Sequence, residues 1–398
     1  MGVPLNSPEK PFVIGITGNI GSGKSLVRKM LERLGGLGID ADALAHRALL
    51  KGSPVYEKAV AQFGSQLLDE RGEIERRKLA ALVFANKENL IILENLVHPA
   101  VEATGKRIIA ETSAPFVVIE AIKLLESTLV EECDSIWLVD VPLDTQIERV
   151  IQSRRMTRQQ VLQRVEHQSP PEIKSRSADM VINNGSSPEL TWKQVNTVFA
   201  QLALSNSKLG MTLDRYLEWK NLNRALRLLQ PTNSIFLKKI VGVSQPMEWV
   251  NSWINSTAHR YLEKKDLSSR SSYFELLVRF QCLLHQPNSK PELLSIINFE
   301  NFILQPIYLF KINEKKSFDL LQWLEAIHLL ANQRLCEAVI LPVSKKNSVI
   351  NQQLLNNGYQ ILSSNESLFH LWKTEVARTE VSGYNVLAKI LRKTIQFN

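Results

Sequence analysis

Residues 12–25 read FVIGITGNIGSGKS, and their reading decides the fold. FVIGIT is a short apolar run of the kind found in strands buried on both faces. Gly18-Asn19-Ile20-Gly21-Ser22-Gly23-Lys24-Ser25 then fits the pattern G-x-x-x-x-G-K-[ST]. Three glycines in six positions let the backbone turn tightly and aim successive N–H groups inward. Together with the start of the following helix, through Leu26, those amides make a concave anion site. Lys24 is placed to reach the β- and γ-phosphates of a nucleoside triphosphate, and the Ser25 hydroxyl to hold Mg²⁺. A glycine turn that merely caps a helix would not need strand, full motif and helix in this order.

The same alternation continues downstream. Ser25 to Leu34 carries apolar residues at helical spacing, and LGGLG (34–38) ends it. FVVIEA (116–121), SIWLVDV (135–141) and MVINN (180–184) are further strand-like runs, separated by helical stretches. This predicts a three-layer α/β/α domain on a parallel sheet over residues 11–204. SNSKLG (205–210) reads as a linker. Residues 211–398 read as a separate α+β domain. Its predicted helices are Met247–His259, Tyr273–His285 and Phe318–Leu335; its predicted strands include FILQPIYLFKI (302–312) and EAVILPV (337–343). Pro306 predicts an edge or a break in the first of these strands.

The chain has 398 residues, room for two domains, with 44% hydrophobic and 22% charged residues. Its net charge of +8 favours anionic partners such as nucleotides but is too mild to imply DNA or RNA. Cys133, Cys282 and Cys336 lie far apart, without metal-ligand spacing, and predict reduced thiols in a cytoplasmic protein. No apolar run is long enough to span a membrane. The opening MGVPLNSPEKP lacks the apolar core of a secretory signal, and Asn6 stands where a myristoylation signal needs Ser or Thr. Nucleic acid and membrane partners are therefore not expected; oligomeric state is open.

IDAD (39–42) puts Asp40 at a strand end and Asp42 two residues on. If the strand continues, both carboxylates share a face. Beside a triphosphate such a pair suits metal contact, or a base that orients an acceptor hydroxyl. The alternative is that Asp42 only caps the helix ALAHRALL (43–50).

The glycine loop followed by IDADALAHRAL (39–49), FGSQLLDERGEIERRKLAALVF (63–84), HP (98–99) and ADMVINNG (178–185) resembles dephospho-CoA kinase over residues 11–204. The resemblance implies a P-loop kinase fold with a helical acceptor domain and a lid. It implies transfer of the ATP γ-phosphate to the ribose 3′-hydroxyl of dephospho-CoA, the last step of CoA synthesis, with Mg²⁺. Asp42 matches the family's catalytic base, and Asp40 its supporting acid. Arg76 matches the arginine of G-x-I-D-R, with Glu75 in place of the aspartate, and suits acceptor phosphates. His98 has a positioning role or is a structural histidine ahead of a proline turn. IERVIQSRRMTR (147–158) aligns with the lid, whose arginine closes over the phosphates. Arg154 is the match, Arg155 the neighbouring choice; a solvated helix face is the plainer account of Arg149, Arg154, Arg155 and Arg158. Gln168, Asn183 and the segment 178–185 fall on the adenine side. The family's D-x-P-L-L-x-E reads here Glu120-Ala121-Ile122-Lys123-Leu124-Leu125-Glu126. Glu120 still ends a strand where an acid sits near Mg²⁺, and Lys123 adds charge beside the acceptor.

RLCEAVILPVSKKNSVINQQLLNNGYQIL (334–362) resembles the late part of a GNAT acetyltransferase, with Asn347 and Gly358-Tyr359 matching; an unrelated α+β domain is the alternative. The glycine turn that binds the acetyl-CoA pyrophosphate is replaced by KINEKKSFDLL (311–321), so the fold can persist without that binding. The leading function is a dephospho-CoA kinase with a fused accessory domain. The alternatives are another small-molecule kinase, a nucleotide sensor with a non-catalytic kinase-like domain, and a bifunctional acetyltransferase.

Overall fold

The computed structural model describes residues 10–154, 156–166, 168–207, 209–210, 226–228, 231, 245–246, 270–285, 293–312, 319–363, 366–372, 384–392 and 395–397. The chain divides into two compact units, residues 1–215 with 395–398, and residues 216–394.

The first unit runs β1 (Phe12–Thr17), α1 (Lys24–Arg33), β2 (Leu37–Asp40), α2 (Ala41–Ala48), α3 (Pro54–Phe63), α4 (Arg76–Ala85), α5 (Lys87–Glu111), β3 (Phe116–Glu120), β4 (Ser135–Asp140), α6 (Leu143–Arg154), α7 (Arg158–Glu166), α8 (Pro171–Arg176), β5 (Met180–Asn183) and α9 (Pro188–Ser205). The sheet has the order β2-β3-β1-β4-β5 with every pairing parallel. β1 and β3 are buried at every residue, as their continuous apolar runs predict. β5 is an edge strand with Val181 half exposed, so the expectation of burial on both faces fails there. Its open end is instead closed by Gln194 of α9, whose amide accepts from Asn183 N and donates to Asn183 O.

Parallel strands deliver their C-terminal ends to one rim. Register places Ile16, Glu120 and Asp40 in line there, with Asp140 beside Asn183. The chain leaves β1 for β2 on one side and crosses to β4 on the other, the topology that opens a ligand crevice at that rim. α3, α4 and α5 pack around Ala59, Phe63, Leu67, Leu79 and Val83. Pro99 lies inside α5, not at a turn, so the proline-turn account of His98 is corrected. Pro99 removes one donor from the ladder, leaving the Asn95 carbonyl without its usual helical partner. Residues 205–210, read as a linker, contain the end of α9 and the start of a further helical stretch, which Asn206 Oδ1 caps by accepting from Leu209 N. Thr104 of α5 donates from Oγ1 to the carbonyl of Gln396 at 2.9 Å, which ties residues 395–397 to this unit.

The second unit contains β6 (Leu226–Leu228), β7 (Gln245–Pro246), α10 (Arg270–Arg279), β8 (Gln281–His285), β9 (Leu293–Glu300), β10 (Ile303–Lys311), α11 (Leu320–Gln333), β11 (Ala338–Ser344), α12 (Ser348–Asn356), β12 (Gln360–Ile361), α13 (Ser367–Leu371) and β13 (Tyr384–Ile390). Its sheet runs β12-β13-β11-β10-β9-β8-β6. The expected helix Tyr273–His285 is wrong in its second half. Residues 281–285 pair with β9 on one side and β6 on the other, and sheet pairing overrides the helical spacing. Pro306 lies in an interior strand rather than at an edge. Its register on β9 shifts between Pro306 and Tyr308, a bulge that accommodates the missing N–H. The expected helix Met247–His259, and Lys315 and Lys316 within KINEKKSFDLL, lie outside the described residues. Asn347 caps α12 through Oδ1 on Ile350 N, and Asp319 caps α11 through Oδ1 on Gln322 N.

No helix of the described residues is long and apolar enough to cross a membrane.

Candidate active site

The loop between β1 and α1 uses its glycines as the motif predicts. Gly18, Gly21 and Gly23 have φ of 149°, 78° and 91°. A Cβ on Gly18 would overlap the Val139 carbonyl oxygen, which is backbone and cannot swing away. Ser22 N donates to Asn19 O at 3.1 Å, and Leu26 N to Gly23 O at 3.0 Å. Lys24 is buried and its ammonium lies on the carbonyls of Gly18 (3.0 Å) and Asn19 (3.2 Å). No side chain caps α1 at Gly23, and a helix start of this kind suits an anion. Asn19 Oδ1 and Ser22 Oγ are buried without a partner among the described residues. The Ser22 hydroxyl, a donor at the lip of the amide cradle, fits a site built for a polyanion; Asn19 Oδ1 only accepts and adds nothing to that fit. Gly18→Ala should weaken ATP binding at least about tenfold, since both its φ and its space exclude a side chain. Calorimetric titration with ATP checks this; unchanged affinity would show that the cradle tolerates the shift.

Side chains far along the sequence fix the loop. Gln168 Oε1 accepts from Ile20 N at 2.8 Å, and Gln146 Nε2 donates to Ile20 O at 2.6 Å. Asn184 Nδ2 donates to Ser22 O at 2.8 Å, and Thr191 Oγ1 donates to Asn184 Oδ1 at 2.9 Å. Ile20 itself packs with Ile147, Val150 and Val161, which seats α6 and α7 against the loop. Asn183, the residue expected at the cofactor, uses its Oδ1 on Gly185 N to form a local turn. Its neighbour Asn184 is the one that reaches the loop. Adjacent positions at a strand end face opposite sides, and sequence alone does not say which faces in. Gln146 and Thr191 carried no sequence signal.

Under the loop lies a charged cluster. Ser25 Oγ donates to Glu120 Oε1 at 2.6 Å. Arg28, almost fully buried, donates from Nε to Glu120 Oε2 at 2.7 Å and from Nη1 to Glu32 Oε1 at 2.5 Å. Its Nη2 stands 3.7 Å from Asp40 Oδ2. Burial first, and then the Glu120 charge, push the Asp40 carboxyl up to about 7; Arg28 pulls the other way. Sequence reasoning missed Arg28 and Glu32, whose i,i+4 spacing was visible but whose burial was not. The expectation that Asp40 and Asp42 share a strand face is corrected. β2 ends at Asp40, whose Oδ1 caps α2 by accepting from Ala43 N at 2.9 Å. Asp42 belongs to the first turn of α2 and is exposed, so the capping role falls to Asp40. Ser25 Oγ with the Glu120 and Asp40 carboxylates is an all-oxygen donor set, suited to a hard cation. No group of three or more His, Cys, Asp or Glu among the described residues forms a dedicated metal cage.

The remaining predicted residues lie on α4 to α7 and just after β3. Arg76 is the exposed first residue of α4, and His98 is half-buried on α5. Lys123 pairs with Glu94 Oε1 at 2.5 Å, so its charge is matched by an α5 carboxylate. Arg149 donates to Asn184 O at 2.9 Å, and exposed Arg158 to Asp144 Oδ1 at 3.0 Å. Arg154 is the last residue of α6; its side chain and all of Arg155 lie outside the described residues. One further cation was not foreseen. Lys174 of α8 is 1% exposed and donates to the carbonyl of Ile122 at 3.1 Å, which also accepts from Thr17 Oγ1 at 3.2 Å.

A family model described as dephospho-CoA kinase matches residues 12–189. The dephospho-CoA kinase of Carboxydothermus hydrogenoformans is 38% identical over 189 residues, spanning 47% of this chain and 92% of that protein. The crystal structure of TT1252 from Thermus thermophilus aligns at 35% identity with a TM-score of 0.43, over 49% of this chain and 99% of that one. Solved neighbours also include an N-acetyltransferase from Thermoplasma acidophilum in complex with coenzyme A. It aligns at 14% identity with a TM-score of 0.29, over 42% of this chain and 98% of that one. On the near-complete match to its curated relative, the chain belongs to the dephospho-CoA kinase family.

Proposed function

We propose that residues 11–204 transfer the γ-phosphate of ATP to the ribose 3′-hydroxyl of dephospho-CoA, giving CoA and ADP. The observation that supports this is the convergence of the Lys24 loop, the Ser25–Glu120 pair and the start of α2 at one sheet rim. The loop amides receive the β- and γ-phosphates, and Lys24 exchanges the Gly18 and Asn19 carbonyls for phosphate oxygens. Asp42 accepts the proton of the 3′-hydroxyl at a carboxylate oxygen as the alcohol attacks phosphorus. Asp40, fixed by its cap on α2, supports that end of the site. Arg76, His98 and Lys123 face the acceptor's phosphates, Arg154 closes from the lid, and Gln168 and Asn183 lie on the adenine side. Mg²⁺, held by Ser25 and Glu120, would neutralise charge on the β- and γ-phosphates, as a cation that keeps waters and few protein ligands does. The family's soluble P-loop chemistry and the thiols Cys133, Cys282 and Cys336, none in a disulfide, support a cytoplasmic setting.

A coupled ADP-release assay on the full chain tests this. Turnover is expected with dephospho-CoA and not with pantetheine or simple nucleosides, which lack its phosphate groups. Activity confined to other acceptors would overturn the assignment.

A further inference from the structure

Lys174 is a lysine in the wrong place for a surface charge. It is 1% exposed, on the short helix α8 that precedes β5. A buried ammonium is costly unless its three N–H groups are satisfied. Among the described residues it makes one hydrogen bond, to Ile122 O, at the rim just beyond β3. That leaves two donors without a partner in a site otherwise rich in exact pairings. Ile122 O also accepts from Thr17 Oγ1 at 3.2 Å, so Lys174 shares an acceptor with the residue that leads into the Gly18 loop. Burial first, and then the Lys24 charge, push its ammonium down to about 8, while the Glu126 and Asp42 carboxylates pull it up. Lys174 therefore feels both the residue assigned to the β- and γ-phosphates and the residue assigned to the acceptor hydroxyl.

We propose that Lys174 is a second phosphate-binding lysine, whose spare N–H groups take the oxygens of the transferring γ-phosphoryl group between Lys24 and Asp42. This rests on the kinase reading of the site and adds a ligand to it. An ammonium beside another ammonium is repelled until an anion arrives, so the strain between Lys24 and Lys174 is relieved by the γ-phosphate and much less by a diphosphate alone. During transfer the same donors meet the charge spread over the equatorial oxygens of the transition state. Ser175, the next residue of α8, spends its hydroxyl on the carbonyl of Glu172 at 2.9 Å and serves as a control.

The test is Lys174→Met in the full chain, with Lys174→Gln as the second variant should the first fail to fold, and Ser175→Ala as the control. Affinities for ATP and for ADP, each with Mg²⁺, are measured by calorimetric titration beside native-state hydrogen exchange at the β1 and β3 amides. ATP affinity is expected to fall at least about tenfold and ADP affinity to stay within about threefold. In turnover, kcat should fall at least about tenfold with the KM for dephospho-CoA little changed. Equal losses for ATP and ADP would make Lys174 a structural residue and overturn the proposal, as would unchanged ATP affinity. If the parent chain does not phosphorylate dephospho-CoA but the ATP-specific loss occurs, the acceptor assignment fails while this one stands.

Discussion

Asp42→Asn should lower kcat with dephospho-CoA by at least about 10²-fold, the low end for a lost general base, with ATP affinity near the parent value. The amide matches the carboxylate in shape but does not accept the proton that the 3′-hydroxyl must lose. Asp42 is exposed in the first turn of α2, and the cap of that helix belongs to Asp40. Losing one first-turn carboxylate removes a favourable helix-dipole interaction of well under about 1 kcal/mol at an exposed site. A large kinetic effect with unchanged native-state hydrogen-exchange protection in β1 and β3 would therefore be chemical. Asp40→Asn is the informative contrast, because its carboxyl lies among Glu120, Arg28 and the α2 amides. That substitution should disturb stability as well as rate. Turnover within about threefold of the parent in Asp42→Asn would remove the base assignment.

The contrast between these two aspartates shows what the sequence carried. The motif from Gly18 to Ser25 fixed a loop whose backbone demands are local, and strands β1, β3 and β4 followed from continuous apolar runs. Asp40 was legible as a strand end. The turn into α2 at the next residue was not, because D-A-D is compatible with a strand face and with a capped helix alike. Arg28, Gln146 and Lys174 were illegible for a shared reason. Each acts through a partner far away in the chain, and its burial is a product of the finished fold. In the second unit, residues 281–285 carried helical spacing but were captured by two neighbouring strands. The structure places Pro306 in an interior strand, where a one-residue bulge serves in place of the expected edge.

Arg28 carries the other large expected effect. Its guanidinium meets Glu120 and Glu32 directly and stands near Asp40, all within a site where Arg28, Glu32 and Glu120 are almost fully buried. Arg28→Met removes that cation and leaves Glu32 and Glu120 without it, while Asp40, already pushed up to about 7, moves further towards its neutral form. Breaking a buried pair while its partners stay charged typically costs about 3–5 kcal/mol. The chain has two units, so a single melting curve does not isolate the loss. Native-state hydrogen exchange at the amides of β1 and β3 reads the stability of the kinase unit alone. Protection there should fall by that amount, and Ser25 should lose the oriented Glu120 oxygen it donates to. Adding Glu32→Gln to Arg28→Met should restore part of the loss, because one of the uncompensated charges is gone. Equal protection in the single and double variants would assign the cost to lost packing around the arginine stem, and the charged cluster would no longer account for the way Glu120 is held.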